Sequence, residues 1–576
     1  MSSEPGAAQT KSRAGWAGVA AVALAVGVGH LAASLTDRQA SPVVALAARV
    51  IDASPTPLKS WAVATLGNLD KPVLVGGILA VTAALGVLVG RLAAVRPAVG
   101  WGAVGALGLV ITAAALLGPG AGPVSAVPGL AATAAGAAAL RFLLARAAPE
   151  HVPDDPTPAE LAEAESSRRR LLLGISGVAS LALLSGVAGE LVRPSRSVRV
   201  VTLPGAARPL PAPPATLPIP GMSQLATPQI ELYRVDINVA APDIDAAEWR
   251  LDIDGMVDRP YSLGWDELLQ LEVIERDATL MCVSNFVGGP YIGSGRWIGV
   301  RTRDLLERAG VRAGADMVLS TSWDSFTVST PLPALLDERD AIVAVGFNGE
   351  LLSKYHGYPA RLLTPGMYGF VGATKWLRRL TVTRFADRQA YWTVRGWSEQ
   401  APLKLSSRIE TPLPSRVLTA GTIAVGGSAW ASRVAVAKVE FRVDDGPWRE
   451  AILGPDGGLD TWRQWYVEWQ ATRGSHILEC RAWDVTGKVQ SAIDMEPVPD
   501  GAEGLHMVRV DLVHANDSRD EFGSGADRHA DLGTGLVDAD GLVQVIVEAQ
   551  APVVFETPGA KQGSTADVAW LAARLG

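Results

Sequence analysis

Cys282 is the first residue in this sequence whose type and surroundings point to chemistry. It stands in the run TLMCVSNFVGG at 279–289, where a short apolar approach leads into a turn rich in glycine. A thiolate is a suitable ligand for a soft, redox-active metal, and glycines allow backbone to come close to a bulky group. A lone cysteine is more commonly a buried structural residue, so composition alone leaves both roles open.

Several further motifs follow a fixed order around Cys282. They are YRVD at 233–236, HGYPAR at 356–361, LTPGMYG at 363–369 and ATKWL at 373–377. Their order resembles that of the sulfite oxidase family of molybdopterin-dependent oxidoreductases, over about residues 229–508. Several motifs in fixed order are far more specific than any one of them. The resemblance includes the family's β-sandwich dimerisation domain, so a homodimer is one arrangement left open.

The resemblance implies a molybdenum-molybdopterin cofactor and a role for each motif. Cys282 would ligate molybdenum, and Arg234 would face the metal and attract an anionic small-molecule substrate. Asn285 would orient the cysteine loop or hydrogen-bond the pterin. Fixed donors and positive charge for the pterin phosphate would come from His356, Arg361, Thr374 and Lys375. For any one arginine or lysine, a surface salt bridge is the commoner explanation.

One departure from the family pattern concerns the substrate. Sulfite oxidases carry an arginine shortly after the metal cysteine, whereas Phe286-Val287-Gly288-Gly289 follow Asn285 here. The missing charge weakens the case for sulfite, and small S-oxides or N-oxides become candidates. The chain also has no cytochrome-type haem domain. We therefore expect a separate electron-transfer partner, which can be a quinone, a cytochrome or a membrane redox protein.

The C-terminal tail, about 509–576, resembles a different family. Its motifs VHANDS at 513–518, GSGADRH at 523–529 and FETP at 555–558 are similar to the C-terminal part of endonuclease IV, a zinc-dependent TIM-barrel nuclease of apurinic sites. Only two of eight strand–helix units would be present, so we expect a short βα fragment without nuclease activity or functional zinc. The vestigial zinc ligands would be His514, Asp527, His529 and Glu556.

The first 192 residues are apolar enough to suggest a membrane bundle. Five stretches are long enough to cross a bilayer, at about 15–35, 72–90, 97–118, 127–147 and 171–192. Basic residues, including Arg168–Arg170, favour a cytoplasmic N-terminus and hence an extracytoplasmic catalytic domain on a multi-pass cell-membrane protein. The run SSRRRLLL at 166–173 also resembles a twin-arginine export signal. The bundle would contact membrane lipid and act as an anchor.

Bulk composition excludes several other classes. The net charge of −8 gives no reason to expect nucleic-acid binding. Two cysteines exclude a disulfide framework and cysteine-ligated iron–sulfur clusters. Two alternatives to the oxidoreductase remain: a non-catalytic membrane-anchored β-sandwich binding protein and, less favoured, a zinc-dependent apurinic-site endonuclease.

The expected fold is multidomain. An α-helical membrane bundle is followed by an α+β molybdopterin domain of the sulfite oxidase type, an immunoglobulin-like β-sandwich, and a short βα tail resembling part of a TIM barrel. The expected boundaries are 1–192 for the membrane domain, 193–228 for a Pro-rich linker that carries the next domain away from the bilayer, 229–410 for the molybdopterin domain, 411–508 for the sandwich and 509–576 for the tail.

Overall fold

The structure is a computed structural model of the whole chain. It describes residues 5–66, 69–118, 121–147, 157–192, 202–238, 241–413, 421–472, 474–515, 517–519, 529–549, 553–555 and 565–575. The chain divides into two compact units. The first comprises 1–201 with 235–248 and 323–325, and the second comprises 202–234, 249–322 and 326–576.

The N-terminal region is helical, as predicted. Five of its helices contain segments long and apolar enough to cross a membrane: Ser12–Leu35, Asp70–Val95, Pro97–Leu116, Pro123–Ala147 and Glu165–Leu191. Two short helices lie between the first two of these segments. The helices are α1 (Pro5–Leu35), α2 (Pro42–Ala53), α3 (Thr56–Leu66), α4 (Asp70–Val95), α5 (Pro97–Leu116), α6 (Val127–Ala147) and α7 (Pro158–Leu191).

Small residues allow the close contact of α1 with α4. A Cβ added at Gly18 would lie 1.9 Å from the carbonyl oxygen of Gly86, and one added at Gly90 would lie 2.1 Å from that of Ala14. The two backbones therefore touch directly. Without a hydrophobic effect between helices in lipid, such backbone contact is a main source of helix association.

Two β-sheets and short helices form the α+β domain. One sheet has the order β2-β1-β10-β5-β6, and the other joins β3, β4, β7 and β8, with β9 also paired to β7. The elements are β1 (Arg250–Gly255), β2 (Tyr261–Gly264), α8 (Trp265–Leu269), β3 (Val273–Met281), β4 (Ile292–Arg301), α9 (Thr302–Ala309), β5 (Met317–Ser322), β6 (Thr327–Pro331), α10 (Leu332–Leu336), β7 (Ile342–Phe347), β8 (Glu350–Leu351), β9 (Arg361–Leu363), α11 (Gly369–Gly372) and β10 (Leu377–Thr383).

A β-sandwich follows, as the alternating pattern predicts. Its sheets have the orders β11-β12-β16-β15 and β14-β13-β17-β18-β21. Buried side chains from both sheets, among them Val425, Phe441, Trp465 and Leu478, share one apolar core. The strands are β11 (Ser406–Thr411), β12 (Gly421–Trp430), β13 (Val436–Val443), β14 (Arg449–Glu450), β15 (Ile452–Leu453), β16 (Arg463–Ala471), β17 (Gly474–Asp484) and β18 (His506–Ala515).

The strand β18 crosses the boundary that the sequence predicts at 508. Its pairing with β17 runs from His506 opposite Cys480 to Leu512 opposite Gly474. The start of the tail is therefore the last long strand of the sandwich, because strand pairing continues where the motif resemblance changes. The remaining tail elements are β19 (Asp517–Ser518), β20 (His529–Ala530), α12 (Ala539–Ala549), β21 (Val553–Phe555) and α13 (Thr565–Leu575), and β21 pairs in parallel with β18.

Over residues 202–228 the Pro-rich segment packs against the second compact unit. The Leu210 amide donates to a Glu275 carboxylate oxygen at 2.7 Å, and the Leu217 amide donates to the Gln464 side chain at 2.9 Å. Arg296 donates to the Pro211 carbonyl at 2.6 Å. Proline lacks an amide hydrogen, so side chains of the domain supply the partners that a sheet ladder cannot.

The pairing of β18 defines a deletion that tests the tail. Removal of residues 516–576 takes away the short strands β19, β20 and β21 and the helices α12 and α13 but leaves the β17–β18 ladder whole, so the unfolding temperature should stay nearly unchanged. Removal of 511–576 also takes Asp511 and Leu512 from the β17–β18 ladder, and should lower the unfolding temperature. Thermal unfolding monitored by circular dichroism distinguishes the two.

The same deletions test the absence of nuclease activity. Neither the intact chain nor the 516–576 deletion should cleave DNA that contains an abasic site, because a three-metal centre needs ligands from the other barrel strands. Cleavage by the intact chain that disappears on deletion would contradict this expectation.

Candidate active site

Cys282 follows β3 directly, at the point where the β3–β4 hairpin opens. The hairpin is in register from Val273 opposite Val300 to Met281 opposite Ile292. Residues 282–291, which we call the cysteine loop, connect the two strands. Cys282 is partly exposed as a residue, whereas its neighbours Met281 and Val283 are buried. The backbone on both sides of Cys282 is therefore anchored in the core.

The Asn285 side chain closes the cysteine loop. It is 1% exposed, and its Oδ1 accepts a hydrogen bond from the Tyr291 amide at 2.8 Å. The Cys282 amide donates to the Tyr291 carbonyl at 3.0 Å, and the Asn285 amide donates to the Cys282 carbonyl at 3.1 Å. Asn285 therefore holds the loop's shape, which is one of the two roles that the sequence predicts for it.

Groups around the Cys282 thiol shift its pKa in opposite directions. Burial raises the pKa of Cys282, while its hydrogen bonds with Ser284 and the charge of Lys375 oppose that rise. The Sγ lies 3.0 Å from the Ser284 Oγ. Burial, together with the nearby Cys282, raises the pKa of Tyr233, and the Arg361 charge acts against it. These interactions place Tyr233, Arg361 and Lys375 in the surroundings of the thiol.

Three basic residues gather around Tyr355. The Arg234 guanidinium lies 4.4 Å from the centre of the Tyr355 ring, and the Lys354 ammonium lies 5.9 Å from it. The Lys375 Nζ donates to the Tyr355 carbonyl at 3.2 Å. We call these three and the buried Arg361, which donates to the carbonyl of the adjacent His356 at 3.2 Å, the basic cluster. Positive charge concentrated in this way attracts an anion.

The side chains of His356 and Thr374 form hydrogen bonds inside the protein. The His356 Nε2 donates to the Leu232 carbonyl at 2.9 Å, and its Nδ1 lies 2.8 Å from the Ser353 hydroxyl. Thr374 is fully buried, and its hydroxyl hydrogen-bonds with Ser320. The structure therefore places these two behind the basic cluster, where they fix the backbone near Arg234 and Lys375.

One buried donor near the cysteine loop tests whether a polar group fits there. In the part of the chain that the structure describes, the Trp397 indole N–H is buried without a hydrogen-bond partner. Trp397 belongs to the same apolar cluster as Met281 and Val283. A buried donor of this kind normally has a partner, so a soft thiol, the basic cluster and this donor fit an anionic metal-pterin group.

The sandwich contacts the far end of the cysteine loop. The Arg408 Nη1 donates to the Gly289 carbonyl at 3.0 Å. A Cβ added at Gly288, whose φ is +76°, would lie 2.1 Å from the His506 ring. Burial and the nearby Arg408 lower the pKa of His506 to about 4, so the imidazole is neutral at neutral pH. Its stabilising contribution is complete above its ordinary pKa of 6.5 and is lost as the pH falls through 4.

The side chains of the four predicted zinc ligands lie outside the described part of the chain. Asp527 and Glu556 lie outside the described residues, as do the side chains of His514 and His529. Among the residues that the structure does describe, no group of three histidine, cysteine, aspartate or glutamate side chains could hold a metal ion.

Sequence reasoning missed Lys354, Arg408 and His506. Lys354 lies beside a predicted motif, but nothing in its type distinguishes it from a surface lysine. Arg408 and His506 are separated from Cys282 by more than a hundred residues, and only the docking of the sandwich brings them to the loop.

Comparisons with known proteins identify the family of the α+β domain. Residues 238–392 match the family model of the oxidoreductase molybdopterin binding domain. An uncharacterized oxidoreductase of Bacillus subtilis, YuiH, is 30% identical over 153 residues, which cover 27% of this chain and 74% of that protein. Mitochondrial sulfite oxidase of Mus musculus is 26% identical over 304 residues, which cover 44% of this chain and 55% of that protein.

Two further proteins are similar to this chain, one over a smaller part of its own length and the other at lower sequence identity. The chain spans 21% of an NADH nitrate reductase of Volvox carteri, with 35% identity over 181 residues. The sulfane dehydrogenase SoxCD of Paracoccus pantotrophus covers 50% of this chain and 81% of its own, with 24% identity and a TM-score of 0.45.

A separate match confirms the second resemblance. A probable endonuclease 4 of Mycobacterium tuberculosis is 35% identical over 187 residues, which cover 28% of this chain and 71% of that protein. Part of this chain therefore belongs to the endonuclease 4 family by sequence. The matched share is longer than residues 509–576, on which the motif resemblance rests.

The family match, the relatives and the thiol beside a basic cluster agree on one assignment. This chain carries a molybdopterin-dependent oxidoreductase domain and belongs, through that domain, to the sulfite oxidase type of these enzymes.

Proposed function

We propose that this protein is a membrane-anchored, extracytoplasmic enzyme that transfers an oxygen atom to or from a small substrate of the sulfite, S-oxide or N-oxide type. The observation that carries the proposal is the partly exposed residue Cys282, whose thiol feels the charge of Lys375, one member of the basic cluster. A lone structural cysteine would need neither the exposure nor the charge. The sandwich's Cys480, which is fully buried, shows that contrast.

The chain's residues would divide the work of holding a molybdenum-molybdopterin cofactor. Cys282 would be the protein ligand to molybdenum, and Arg361, Lys375 and Arg234 would supply positive charge to the phosphate and to an anionic substrate. Asn285 would keep the cysteine loop closed. His356 and Thr374 would act behind them by fixing backbone.

The cofactor when bound supplies the redox chemistry: a substrate gains oxygen from water with release of two protons and two electrons, or loses it in the reverse direction. The protein's part is placement and electrostatics. The electrons would pass to or from a separate partner, for which a quinone, a cytochrome or a membrane redox protein remains a proposal. The sandwich is proposed as immunoglobulin-like and as a dimerisation surface of the family type.

Exposed apolar side chains support the membrane anchor. Leu109 on α5 and Leu183 on α7 are 71% and 69% exposed, and both lie within helices long enough to span a bilayer. Water would make such a surface costly, whereas lipid would cover it. The distribution of basic residues supports a cytoplasmic N-terminus, and five crossings would then put the soluble unit outside.

Substitution of Cys282 tests the ligand assignment. Cys282→Ser should abolish turnover and lower bound molybdenum, because a hydroxyl is a harder and more weakly acidic donor than a thiol. Molybdenum content by mass spectrometry and the thiolate-to-metal absorption band measure the effect. The matched control is Cys480→Ala in the sandwich core, which should keep both signals. A Cys282→Ser protein with wild-type turnover would refute the assignment.

Fusion reporters test the topology. Alkaline phosphatase fused at Val200 should be active, and green fluorescent protein fused there should not be fluorescent after export through the general secretory route. Fusions between the fourth and fifth spans should give the opposite pattern, because they would remain inside. A cytoplasmic result at Val200 would reverse the proposed orientation.

An added charge tests the substrate. Phe286 is exposed and directly follows Asn285, where the family carries an arginine nearby. Phe286→Arg should raise kcat/KM for sulfite oxidation about fivefold, equivalent to ~1 kcal/mol, and leave reduction of a neutral sulfoxide nearly unchanged. Dye-linked assays in both directions provide the measurement. Fast sulfite oxidation by the unsubstituted enzyme would contradict the preference for S- or N-oxides.

A further inference from the structure

The cysteine loop is held at two places, by its own groups near Cys282 and by the sandwich at its far end. Near Cys282 it is closed by its own groups, through Asn285 and the Cys282 and Tyr291 backbones. Its far end consists of Phe286-Val287-Gly288-Gly289, where the two glycines have no side chain with which to pack. Inside the loop, the Gly289 amide donates to the Phe286 carbonyl at 2.9 Å, and the Asn285 Nδ2 donates to the Gly289 carbonyl at 3.4 Å. Side chains from another part of the protein add to these contacts.

The sandwich provides those side chains from β11 and β18. Arg408 on β11 donates through Nη1 to the Gly289 carbonyl at 3.0 Å, the same carbonyl that faces the Asn285 Nδ2 at 3.4 Å. The His506 ring on β18 occupies the space beside Gly288 so completely that an added Cβ would lie 2.1 Å from its Cδ2 and Nε2. The two contacts fix adjacent peptide units of the loop.

Both side chains are themselves fixed. The Arg408 Nε and Nη2 donate to the Glu410 Oε1 at 2.9 and 2.7 Å, and Nη2 also donates to the Ser223 hydroxyl at 3.2 Å. The His506 Nδ1 accepts from the Ile409 amide at 2.9 Å. A neutral imidazole that carries its proton on Nε2 leaves Nδ1 unprotonated, so that Nδ1 can accept this hydrogen bond. Rigid supports of this kind orient the groups that contact a metal ligand.

We propose that Arg408 and His506 are positioning residues that set the orientation of the Cys282 thiol through Gly288 and Gly289. The sandwich would then be part of the active-site scaffold in each single chain, in addition to any role between chains. The proposal rests on the proposed function of Cys282 as the metal ligand. Its first test, however, measures the loop in cofactor-free protein and does not depend on metal binding.

Thiol reactivity reports the loop's orientation directly. In a Cys480→Ala background, Cys282 is the sole thiol of the chain. The detergent-solubilised, cofactor-free full chain is treated with an aromatic disulfide reagent, and hydrogen exchange is followed in peptides that cover 282–291. His506→Asn keeps an acceptor for the Ile409 amide but removes the ring beside Gly288. Arg408→Gln with Glu410→Gln removes the buried ion pair without leaving one charge alone.

Each variant should raise the thiol's reaction rate about tenfold and speed exchange in the cysteine loop. Arg442→Gln is the matched control, since it breaks an ion pair with Glu479 elsewhere in the sandwich and should leave both readouts unchanged. In molybdenum-loaded protein the two positioning variants should shift the thiolate-to-metal band and lower kcat more than they change KM.

Two results would overturn the proposal. One is an unchanged thiol rate and loop exchange in folded His506→Asn. The other is an equal increase in Arg442→Gln, which would mean that general loosening of the sandwich is the cause. If the double variant does not fold, His506→Asn alone decides. A failure of the ligand assignment would appear separately, as molybdenum binding that survives Cys282→Ser.

Discussion

A metal-binding thiol must be accessible, while the backbone that carries it must not move. In this protein Cys282, the proposed ligand, is a partly exposed residue directly after β3, on a backbone anchored by the buried Met281 and Val283. Asn285 then closes the loop with its buried amide. Each remaining feature of the site, from the basic cluster to the contact with the sandwich, is arranged around that anchored thiol.

Charge is concentrated on one side of this arrangement. Arg234, Lys354 and Lys375 gather around Tyr355, and the buried Arg361 lies over the Trp297 ring at 5.2 Å from its centre. Aromatic faces and backbone carbonyls accept cations without neutralising them as carboxylates would. Four basic side chains are thus grouped on the side of the site where the proposed anionic cofactor or substrate would bind.

Apolar side chains are distributed differently in the two compact units. The N-terminal helices expose leucines, which would suit lipid under the proposed membrane anchoring, whereas the second unit buries its apolar side chains in sheets and in a sandwich core. Glycines at the contact of α1 and α4 allow the two helix backbones to pack closely. In the second unit the Pro-rich segment is held by hydrogen bonds with Glu275, Arg296 and Gln464.

The class of the protein follows from the sequence alone. Hydropathy predicted the long helices, alternation predicted the sandwich, and motif order predicted the molybdopterin domain, because each of these signals is local or depends on order along the chain. Strand β18 continues past residue 508, since its pairing with β17 leaves no mark in the motifs. Only the tertiary structure brought Arg408 and His506 to the cysteine loop and turned His356 and Thr374 inward. Such contacts join residues far apart in sequence, and their side chains carry no sign of which distant backbone they will meet.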